Sequence, residues 1–268
     1  MSNPNSPAPR KVALIAGASR GIGATTAIAF ARAGAAVVLA ARDERALNAV
    51  ASEIRDAGGD ALVVPTDVGD AAQVERLVQR TLEKYGRLDA AFNNVTDGPR
   101  PALLADIDPE AFDRGIRANI RGTFLGMKFQ IKAMLQGGGG AIVNMASTAG
   151  VQGFTTLAAY VAGKAGIIGL TKVAALDYAD QNIRVNVVAP GPILTHHLEA
   201  AGPEAQRAAG LGTPMRRIGR SEEVAATVLW LCSDASSYIT GAMIPIDGGQ
   251  LAGGKPPRVY RQGEPMAP

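Results

Sequence analysis

Short apolar runs alternate with longer amphipathic stretches along most of this 268-residue chain, and this alternation constrains its fold more than any other feature. The runs are rich in Val, Ile, Leu and Ala. Their continuous hydrophobicity is typical of strands that helices cover on both faces of a parallel sheet. The alternation therefore predicts a doubly wound, Rossmann-type α/β sheet in a single domain. The seven predicted strands are residues 12–16, 36–40, 61–64, 88–92, 141–145, 183–188 and 243–246.

The stretches between these runs are predicted to be helices from their apolar periodicity and from residues that favour helix ends. Asp70 and Ser221 are suited to cap helix N-termini. We expect residues 10–252 to form the folded domain, with a disordered, proline-rich lead-in at 1–9 and a tail at 253–268. The predicted helices are residues 23–33, 43–57, 70–85, 109–135, 155–179 and 221–232.

Composition and charge exclude several classes of function. A single cysteine excludes an internal disulfide, and with only two histidines we expect no metal site. The net charge is +3, but Arg10 and Lys11 supply two positive charges and residues 253–268 a net two more, so residues 12–252 carry −1. We therefore expect no nucleic-acid partner. No apolar run approaches the roughly 18 residues of a membrane span, and we expect a soluble, cytoplasmic protein.

A glycine-rich segment follows the first predicted strand and opens the first helix. Gly17, Gly21 and Gly23 have the spacing G-x-x-x-G-x-G. Glycines allow a tight turn, and they let a pyrophosphate approach backbone N–H groups at a helix N-terminus. The segment therefore predicts a dinucleotide site, and a glycine-rich turn that binds no ligand is the alternative.

Four polar residues in the middle of the chain form a candidate catalytic group. Tyr160 and Lys164 are four residues apart, so they share one face of the predicted helix. An ammonium beside a tyrosine, with the positive nicotinamide of an oxidised cofactor, should pull the tyrosine pKa down from about 10. Ser147 follows the fifth predicted strand, and parallel sheets bind ligands at the carboxyl ends of their strands. Asn119 lies within the predicted helix 109–135, where a polar residue is locally unfavourable.

These motifs resemble those of the short-chain dehydrogenase/reductase family, and they look closest to its 3-oxoacyl-reductase-like branch. The similarity extends over residues 12–249. The resemblance implies an oxidoreductase that moves a hydride between a nicotinamide cofactor and a carbonyl or alcohol. The motifs that carry it are the glycine spacing, Asn93-Asn94, the order Asn119, Ser147, Tyr160 and Lys164, Pro190-Gly191 and Asp247-Gly248-Gly249.

The resemblance also implies a role for each residue of the site. Tyr160 acts as the general acid/base, Ser147 hydrogen-bonds the reacting oxygen, and Lys164 lowers the tyrosine pKa and holds the nicotinamide ribose. Asn119 anchors a water that links Lys164 to solvent. Asp67 lies near the adenine, although it could equally cap the next turn. The implied cofactor contacts are Gly17, Ser19, Arg20, Gly21, Ile22, Gly23, Arg42, Asp67, Val68, Asn94, Tyr160, Lys164, Pro190, Gly191, Ile193 and Thr195.

The chain departs from the family pattern at three places. Val95 and Thr96 stand where Ala-Gly is usual, and both are bulkier. Ala16 stands where many members have Thr, and Gly163 where they often have Ser. The departures remove no catalytic group, so they bear on cofactor fit and substrate shape rather than on the type of reaction.

The end of the second predicted strand bears on the choice between NAD and NADP. An NAD-preferring site usually offers an acidic side chain there to the ribose 2′-hydroxyl. This chain has Arg42 directly after Ala41, with Arg20 in the glycine segment. Two guanidiniums fit a 2′-phosphate, so NADP(H) is favoured and NAD(H) stays possible. The alternative is two solvated arginines, with Asp43 partly neutralising Arg42.

We therefore predict an NADP(H)-dependent ketoreductase that acts on a small-molecule carbonyl or alcohol. One rival is an NAD-linked alcohol dehydrogenase that works oxidatively. Another is a dinucleotide-binding regulator without catalysis, which would not need Ser147, Tyr160 and Lys164 together. The long apolar helices at 109–135 and 155–179 predict a homo-oligomer, by the resemblance a tetramer or dimer, with burial inside one subunit as the alternative.

The segment 192–219 is expected to act as a lid, because it starts beside the nicotinamide and long connections are typically functional. Within it we predict a short helix at 204–209. For the two histidines plain surface exposure is the alternative. The lid residues expected to face substrate are His196, His197, Leu198, Leu211 and Met215.

Overall fold

Seven parallel strands form one sheet in the computed structural model, which describes residues 10–96 and 100–253. They are β1 Val12–Ala16, β2 Ala36–Ala41, β3 Asp60–Pro65, β4 Ala90–Asn93, β5 Gly140–Met145, β6 Ile183–Pro190 and β7 Met243–Ile246. The order β3-β2-β1-β4-β5-β6-β7 places a topological switch point between β1 and β4. The predicted fold class and the seven strands are confirmed. The lead-in and tail predicted at 1–9 and 253–268 lie outside the described residues, apart from Gly253.

Helices cover both faces of this sheet. They are α1 Gly21–Arg32, α2 Glu44–Asp56, α3 Ala71–Tyr85, α4 Pro109–Ile116, α5 Gly122–Gly137, α6 Ala158–Tyr178, α7 His196–Ala200, α8 Gly202–Leu211 and α9 Ser221–Leu231.

Successive residues of β1 point into different cores. Leu14 shares one core with Leu77 of α3 and Leu125 of α5. Ile15 shares the other with Phe30 of α1 and with residues of α2 and α9. This double coverage explains why the strand sequences are continuously apolar.

The prediction of a single helix at 109–135 is wrong, because a π-helical turn at Arg117–Arg121 separates α4 from α5. The side chain of Asn119 accounts for the break. Its Nδ2 donates to the carbonyl of Gly115 at 2.9 Å, which is the acceptor that the Asn119 backbone N–H would use in an α-helix. Turns of this kind are frequent at functional sites, and this one carries a predicted site residue.

The helix caps follow the sequence at α3 and differ from it at α9. Asp70 caps α3 as predicted, and its carboxylate accepts from two N–H groups of the first turn. Ser221 is the first residue of α9 rather than its cap, because its hydroxyl donates to the carbonyl of Leu194 at 3.3 Å. Arg220 is the cap residue, and its N–H is satisfied by the carboxylate of Glu223 at 2.8 Å.

The segment 192–219 is fixed at both of its ends. The N–H of Leu194 donates to the carbonyl of Gly219 at 2.8 Å, and the N–H of Gly219 donates to the carbonyl of Pro192 at 2.9 Å. Between these ends the chain forms α7 and α8, so the helix predicted at 204–209 is longer than expected and a second one precedes it. The whole segment therefore starts and finishes beside the carboxyl end of β6.

One helix reaches the length and apolar composition of a membrane span, which the sequence analysis did not anticipate. It comprises Ala158–Gln181, α6 with the turn that follows it. In this fold α6 packs against β5 and β6, and it carries the buried side chain of Lys164. The helix therefore packs one face into the core of the α/β domain.

Candidate active site

The glycine segment between β1 and α1 packs closely against its neighbours. Gly17 has a φ of +80°, and its N–H donates to the carbonyl of Ala40 in β2 at 2.7 Å. A Cβ on Gly23 would lie 2.0 Å from the Gly17 carbonyl oxygen, so no larger residue fits there. Asn94, directly after β4, donates from Nδ2 to the same carbonyl at 3.3 Å. The segment is thus anchored across the switch point between β1 and β4.

The N-terminus of α1 is suited to an anion. Within the described residues, the cap residue Arg20 makes no side-chain cap, whereas Asp43 and Asp70 cap α2 and α3. A Cβ on Gly21 would meet only Thr195, 3.9 Å away, so the space above this turn is open. Uncapped N–H groups and the helix dipole favour a negative group there. The turn therefore fits the pyrophosphate of a dinucleotide. The other predicted contacts on it, Ser19 and Ile22, are partly exposed.

The carboxyl end of β2 lies next to that turn. Arg42 follows β2 and Arg20 precedes α1, and both side chains are exposed on loops that leave neighbouring strands. Asp43 serves as the cap of α2, where its carboxylate accepts from the N–H of Ala46 at 3.0 Å. This rim of the site therefore presents the guanidiniums of Arg20 and Arg42, while the carboxylate of Asp43 is hydrogen-bonded to the N-terminus of α2.

Asp67 caps the turn after β3, as the alternative from the sequence proposed. Its Oδ1 accepts from the N–H of Gly69 at 2.9 Å, and its Oδ2 pairs with Arg117 at 3.3 Å. The side chain remains 38% exposed, so further lone pairs of the carboxylate can accept hydrogen bonds. Val68 is buried, and a Cβ on Gly122 would approach it to 2.7 Å. The structural role of Asp67 is compatible with a contact to adenine.

The structure brings Ser147 and Tyr160 together at the carboxyl edge of β5. The Ser147 hydroxyl lies near enough to that of Tyr160 to lower the tyrosine pKa, and Ser147 Oγ donates to the carbonyl of Pro190 at the end of β6 at 3.4 Å. A short 3₁₀ turn follows Ser147 and ends at Gly150, where a Cβ would lie 2.8 Å from the backbone carbonyl of Lys164. This contact between the turn and α6 fixes the serine relative to the tyrosine.

Lys164 is 1% exposed, which is unusual for a lysine. Its Nζ donates to the carbonyl of Met145 at 3.1 Å and lies 5.5 Å from the centroid of the Tyr160 ring. Burial lowers the pKa of Lys164 to about 7, because an ammonium is poorly solvated in the interior. A group perturbed in this way at the end of a parallel strand is characteristic of a functional site.

The pKa of Tyr160 differs from the expectation based on the sequence. Burial raises this pKa above its usual value, and the hydrogen bond with Ser147 opposes the increase. Lys164 lies over the ring and has a pKa of about 7, so at neutral pH it carries its positive charge only part of the time. The phenol therefore stays protonated at neutral pH.

Asn119 has neighbours that the sequence analysis treated only as departures from a family pattern. The hydroxyl of Thr96 donates to Asn119 Oδ1 at 3.2 Å. On the other side, a Cβ on Gly163 would already lie 3.0 Å from the Cβ of Asn119. The larger residue at position 96 and the smaller one at 163 therefore both contact the buried Asn119. Because positions 96 and 163 both depart from the family pattern, these departures were the signal in the sequence that both residues lie near Asn119.

The end of β6 brings in the remaining predicted contacts. Pro190 is buried, and Gly191 donates from its N–H to the carbonyl of Ile246 at 3.1 Å. A Cβ on Gly191 would lie 2.9 Å from the Cα of Asp247, so this position requires glycine. Ile193 is buried as well. With Thr195 facing Gly21, this stretch lies opposite the glycine segment.

The residues of segment 192–219 that were predicted to face substrate are mostly at the surface. His196 is exposed, Leu211 and Met215 are 54% and 65% exposed, and Leu198 is half-buried. The side chain of His197 lies outside what the structure describes. Met215 lines a cavity of about 310 Å³ together with Ile193 and the turn after β7. Two apolar lid residues therefore lie in the open, where a substrate can cover them.

Comparisons with known proteins agree with this geometry. Residues 17–250 match a family model described as enoyl-(acyl carrier protein) reductase. The chain is 40% identical over 243 residues to the A-factor type gamma-butyrolactone 1′-reductase (1S-forming) of Streptomyces virginiae, covering 89% of this chain and 95% of that protein. It is 39% identical over 239 residues to the 3-oxoacyl-[acyl-carrier-protein] reductase FabG of Thermotoga maritima, covering 89% and 97%. A short-chain type dehydrogenase/reductase from Mycobacterium ulcerans superposes with a TM-score of 0.87 at 30% identity, covering 90% of each chain.

Each of these matches covers about nine tenths of the chain, and the family model includes the glycine segment and the cluster around Tyr160. The chain therefore belongs to the short-chain dehydrogenase/reductase family and is an NAD(P)-dependent oxidoreductase that acts on CH–OH or C=O groups.

Proposed function

We propose that this enzyme is an NADP(H)-dependent ketoreductase in which Tyr160 is the general acid. The observation that carries the proposal is the cluster of Ser147, Tyr160 and Lys164. It lies at the carboxyl edge of the sheet, the same edge as the open N-terminus of α1. A doubly wound sheet binds its cofactor along this edge, at the switch point. A buried amine beside a phenol has no structural advantage, which supports a catalytic purpose.

Each side chain has one task in the reduction of a ketone. When bound, the cofactor would supply the hydride that the carbonyl carbon accepts. Ser147 donates a hydrogen bond to the carbonyl oxygen while negative charge grows there. Tyr160 transfers its hydroxyl proton to that oxygen, which completes the alcohol and leaves a phenolate. Lys164 then stabilises the phenolate as an ammonium, and Asn119 holds the route by which a water returns the proton.

The protonation states support the reductive direction. Burial keeps Tyr160 protonated, and the phenol is the form that a reduction consumes, whereas oxidation of an alcohol requires the phenolate. An NAD-linked dehydrogenase working oxidatively would need additional positive charge at the hydroxyl. The two named relatives compared above are both reductases, which agrees with this direction.

The preference for NADP(H) rests on Arg20 and Arg42. Both guanidiniums are exposed at the rim where the adenosine ribose is expected, and Ala41 offers no acid to the 2′-hydroxyl. Guanidiniums bind a phosphate through charge-assisted, often bidentate hydrogen bonds. A 2′-phosphate would therefore be recognised at this rim.

The test is NADPH consumption over a panel of ketones, quinones and 3-oxoacyl thioesters. Tyr160→Phe should bind NADPH like the wild type but lose on the order of 10²–10⁴ in kcat, because the proton donor is gone. Tyr178→Phe makes the same chemical change at the far end of α6 and should stay within about twofold. Activity of Tyr160→Phe within a few-fold of wild type would overturn the proposed role. Turnover only of alcohols with NAD⁺ would replace the proposal with its oxidative rival.

We also infer that the enzyme acts as a homo-oligomer, a tetramer or a dimer. Phe124 and Leu135 are exposed and eleven residues apart, so they lie on one face of α5. Val173 and Leu176 are exposed on α6, the latter by 82%, which argues against burial of these helices within one subunit. Exposed apolar side chains that share a helix face are suited to an interface. A second copy of this chain is the proposed partner, because a two-fold axis brings the same surface to both sides.

A further inference from the structure

The π-helical turn Arg117–Arg121 is bound to the loop that follows β3. Arg117 pairs through Nη2 with Asp67 Oδ2 at 3.3 Å, and its Nε donates to the carbonyl of Gly69 at 3.4 Å. Arg121 donates from Nε to the same carbonyl at 3.2 Å. Three hydrogen bonds from two guanidiniums therefore join this turn to the loop that carries Asp67.

The same turn and loop are also in close van der Waals contact. A Cβ on Gly69 would lie 2.8 Å from Arg117 Nε. A Cβ on Gly122, the first residue after the turn, would lie 2.7 Å from Val68 Cγ2. Because closely packed groups have little room to yield, a displacement of one is transmitted to its neighbour. A shift of the loop is thus felt by the turn.

The opposite side of the turn contacts the catalytic helix α6. A Cβ on Gly163 would lie 3.0 Å from the Cβ of Asn119, and a Cβ on Gly166 would lie 2.8 Å from Ile120 Cδ1. Asn119 and Ile120 are the third and fourth residues of the five-residue turn. The turn therefore lies between the adenine end of the site and the helix of Tyr160.

We propose that Arg117 is a positioning residue that couples recognition of the adenine to the placement of Asn119. The inference rests on the proposed function, because it takes Asp67 as the contact to the adenine amino group. The guanidinium of Arg117 fixes one oxygen of Asp67 and so sets the direction of the remaining acceptor sites of the carboxylate. Because Arg117 and Asn119 share one turn, the loop position that suits adenine also sets the position of Asn119.

The side chains of Arg117 and Asp67 are 55% and 38% exposed. An ion pair with this exposure contributes little to folding stability, so Arg117→Met should fold normally. Arg114, one turn earlier and also exposed, provides a matched control in Arg114→Met. Arg117→Lys keeps the positive charge but loses the planar guanidinium, whose separate nitrogens reach both Asp67 and Gly69.

The test compares NADPH with its hypoxanthine analogue, in which a carbonyl replaces the adenine amino group that donates to Asp67. With NADPH, Arg117→Met should raise Kd, measured by calorimetry, and lower kcat, each by about threefold to tenfold. With the analogue, the variant and the wild type should differ by less than about twofold. Arg117→Lys should recover part of the loss, and Arg114→Met should behave as wild type.

Equal losses of Arg117→Met with both cofactors would overturn the inference, because they would indicate a purely structural role. An unchanged kcat beside a raised Kd would also overturn it, because the coupling to Asn119 would be missing. A wild type that binds both cofactors equally would remove Asp67 as an adenine contact and the inference with it, while the test of Tyr160 would still stand. A wild type that binds neither cofactor would contradict the proposed function itself.

Discussion

Replacement of Lys164 by methionine should make the nucleotide-free protein more stable, although it removes a residue of the active site. Burial lowers the pKa of Lys164 to about 7 from the ordinary 10.5. Between these two values the unfolded chain binds more protons than the folded one, so stability rises with pH there. The penalty is fully present below the folded-state pKa of about 7, and it disappears as the pH approaches 10.5.

The size of the effect follows from the two pKa values. At about 1.36 kcal/mol for each pKa unit, the change from 10.5 to about 7 corresponds to a penalty on the order of 5 kcal/mol. Lys164→Met removes the penalty but also loses the hydrogen bond to the carbonyl of Met145, which subtracts about 1–2 kcal/mol. The net gain should be about 3 kcal/mol near pH 6. Only the ionisation part depends on pH, so the gain should shrink by about 2–3 kcal/mol on going to about pH 9.

The measurement is urea unfolding of the variant and the wild type near pH 6 and pH 9, without nucleotide. The protein concentration must be held constant, because assembly would shift the apparent stability. Lys172→Met serves as the control, since Lys172 is exposed on the same helix, and its effect should stay within about 0.5 kcal/mol at either pH. A variant that is less stable than the wild type near pH 6 would refute the reasoning. So would a gain that is the same at both pH values.

Three further measurements test other parts of the site. Arg42→Ala should weaken NADPH binding by about 1.5–3 kcal/mol and leave NADH unchanged in a fluorescence titration, because only NADPH offers a phosphate; equal losses would contradict this role. Leu176→Glu should shift the mass found by light scattering towards the monomer, since it places a charge in the proposed interface; a wild type that is already monomeric would exclude that interface. Segment 192–219 should exchange its amide hydrogens rapidly in the free enzyme and become protected once NADPH and substrate are both bound, because its ends are fixed and its middle is exposed. Uniform protection in the free enzyme would show that the segment is rigid and is not a lid.

The strands were the most predictable part of the fold, because burial on both faces leaves a continuous apolar run in the sequence. β1 and β7 begin and end where they were predicted. The break between α4 and α5 could not be predicted from periodicity. It depends on the amide of Asn119 taking the carbonyl of Gly115 from the backbone, a local competition that leaves the apolar pattern unchanged.

For the candidate site, the sequence predicted which residues lie close together better than it predicted their protonation behaviour. Spacing was enough to nominate Tyr160 and Lys164 as neighbours. Their pKa values depend on how much solvent the finished fold excludes. Burial raises the pKa of Tyr160 and lowers that of Lys164, whereas their spacing alone predicted only a lowered tyrosine pKa. Thr96 and Gly163 show the same limit, because only the fold reveals that both contact Asn119.

The two edges of the sheet differ in how their polar groups are satisfied, and this difference supports the carboxyl edge as the candidate site. The larger cavity, about 620 Å³, lies at the amino edge. Yet the charges that line it are engaged: Arg87 is paired with Asp89, and Arg184 donates to several backbone carbonyls. At the carboxyl edge the protein alone carries unfavourable features, namely the desolvated Lys164, the uncapped N-terminus of α1 and the left-handed backbone of Thr156 at a φ of +66°. Costly features of this kind cluster at active sites and ligand-binding sites, where a bound partner makes use of them. We therefore infer that the carboxyl edge is the functional one, although the larger cavity lies at the amino edge. In this protein the energetic cost of the surrounding residues is a better guide to the candidate site than the volume of a cavity.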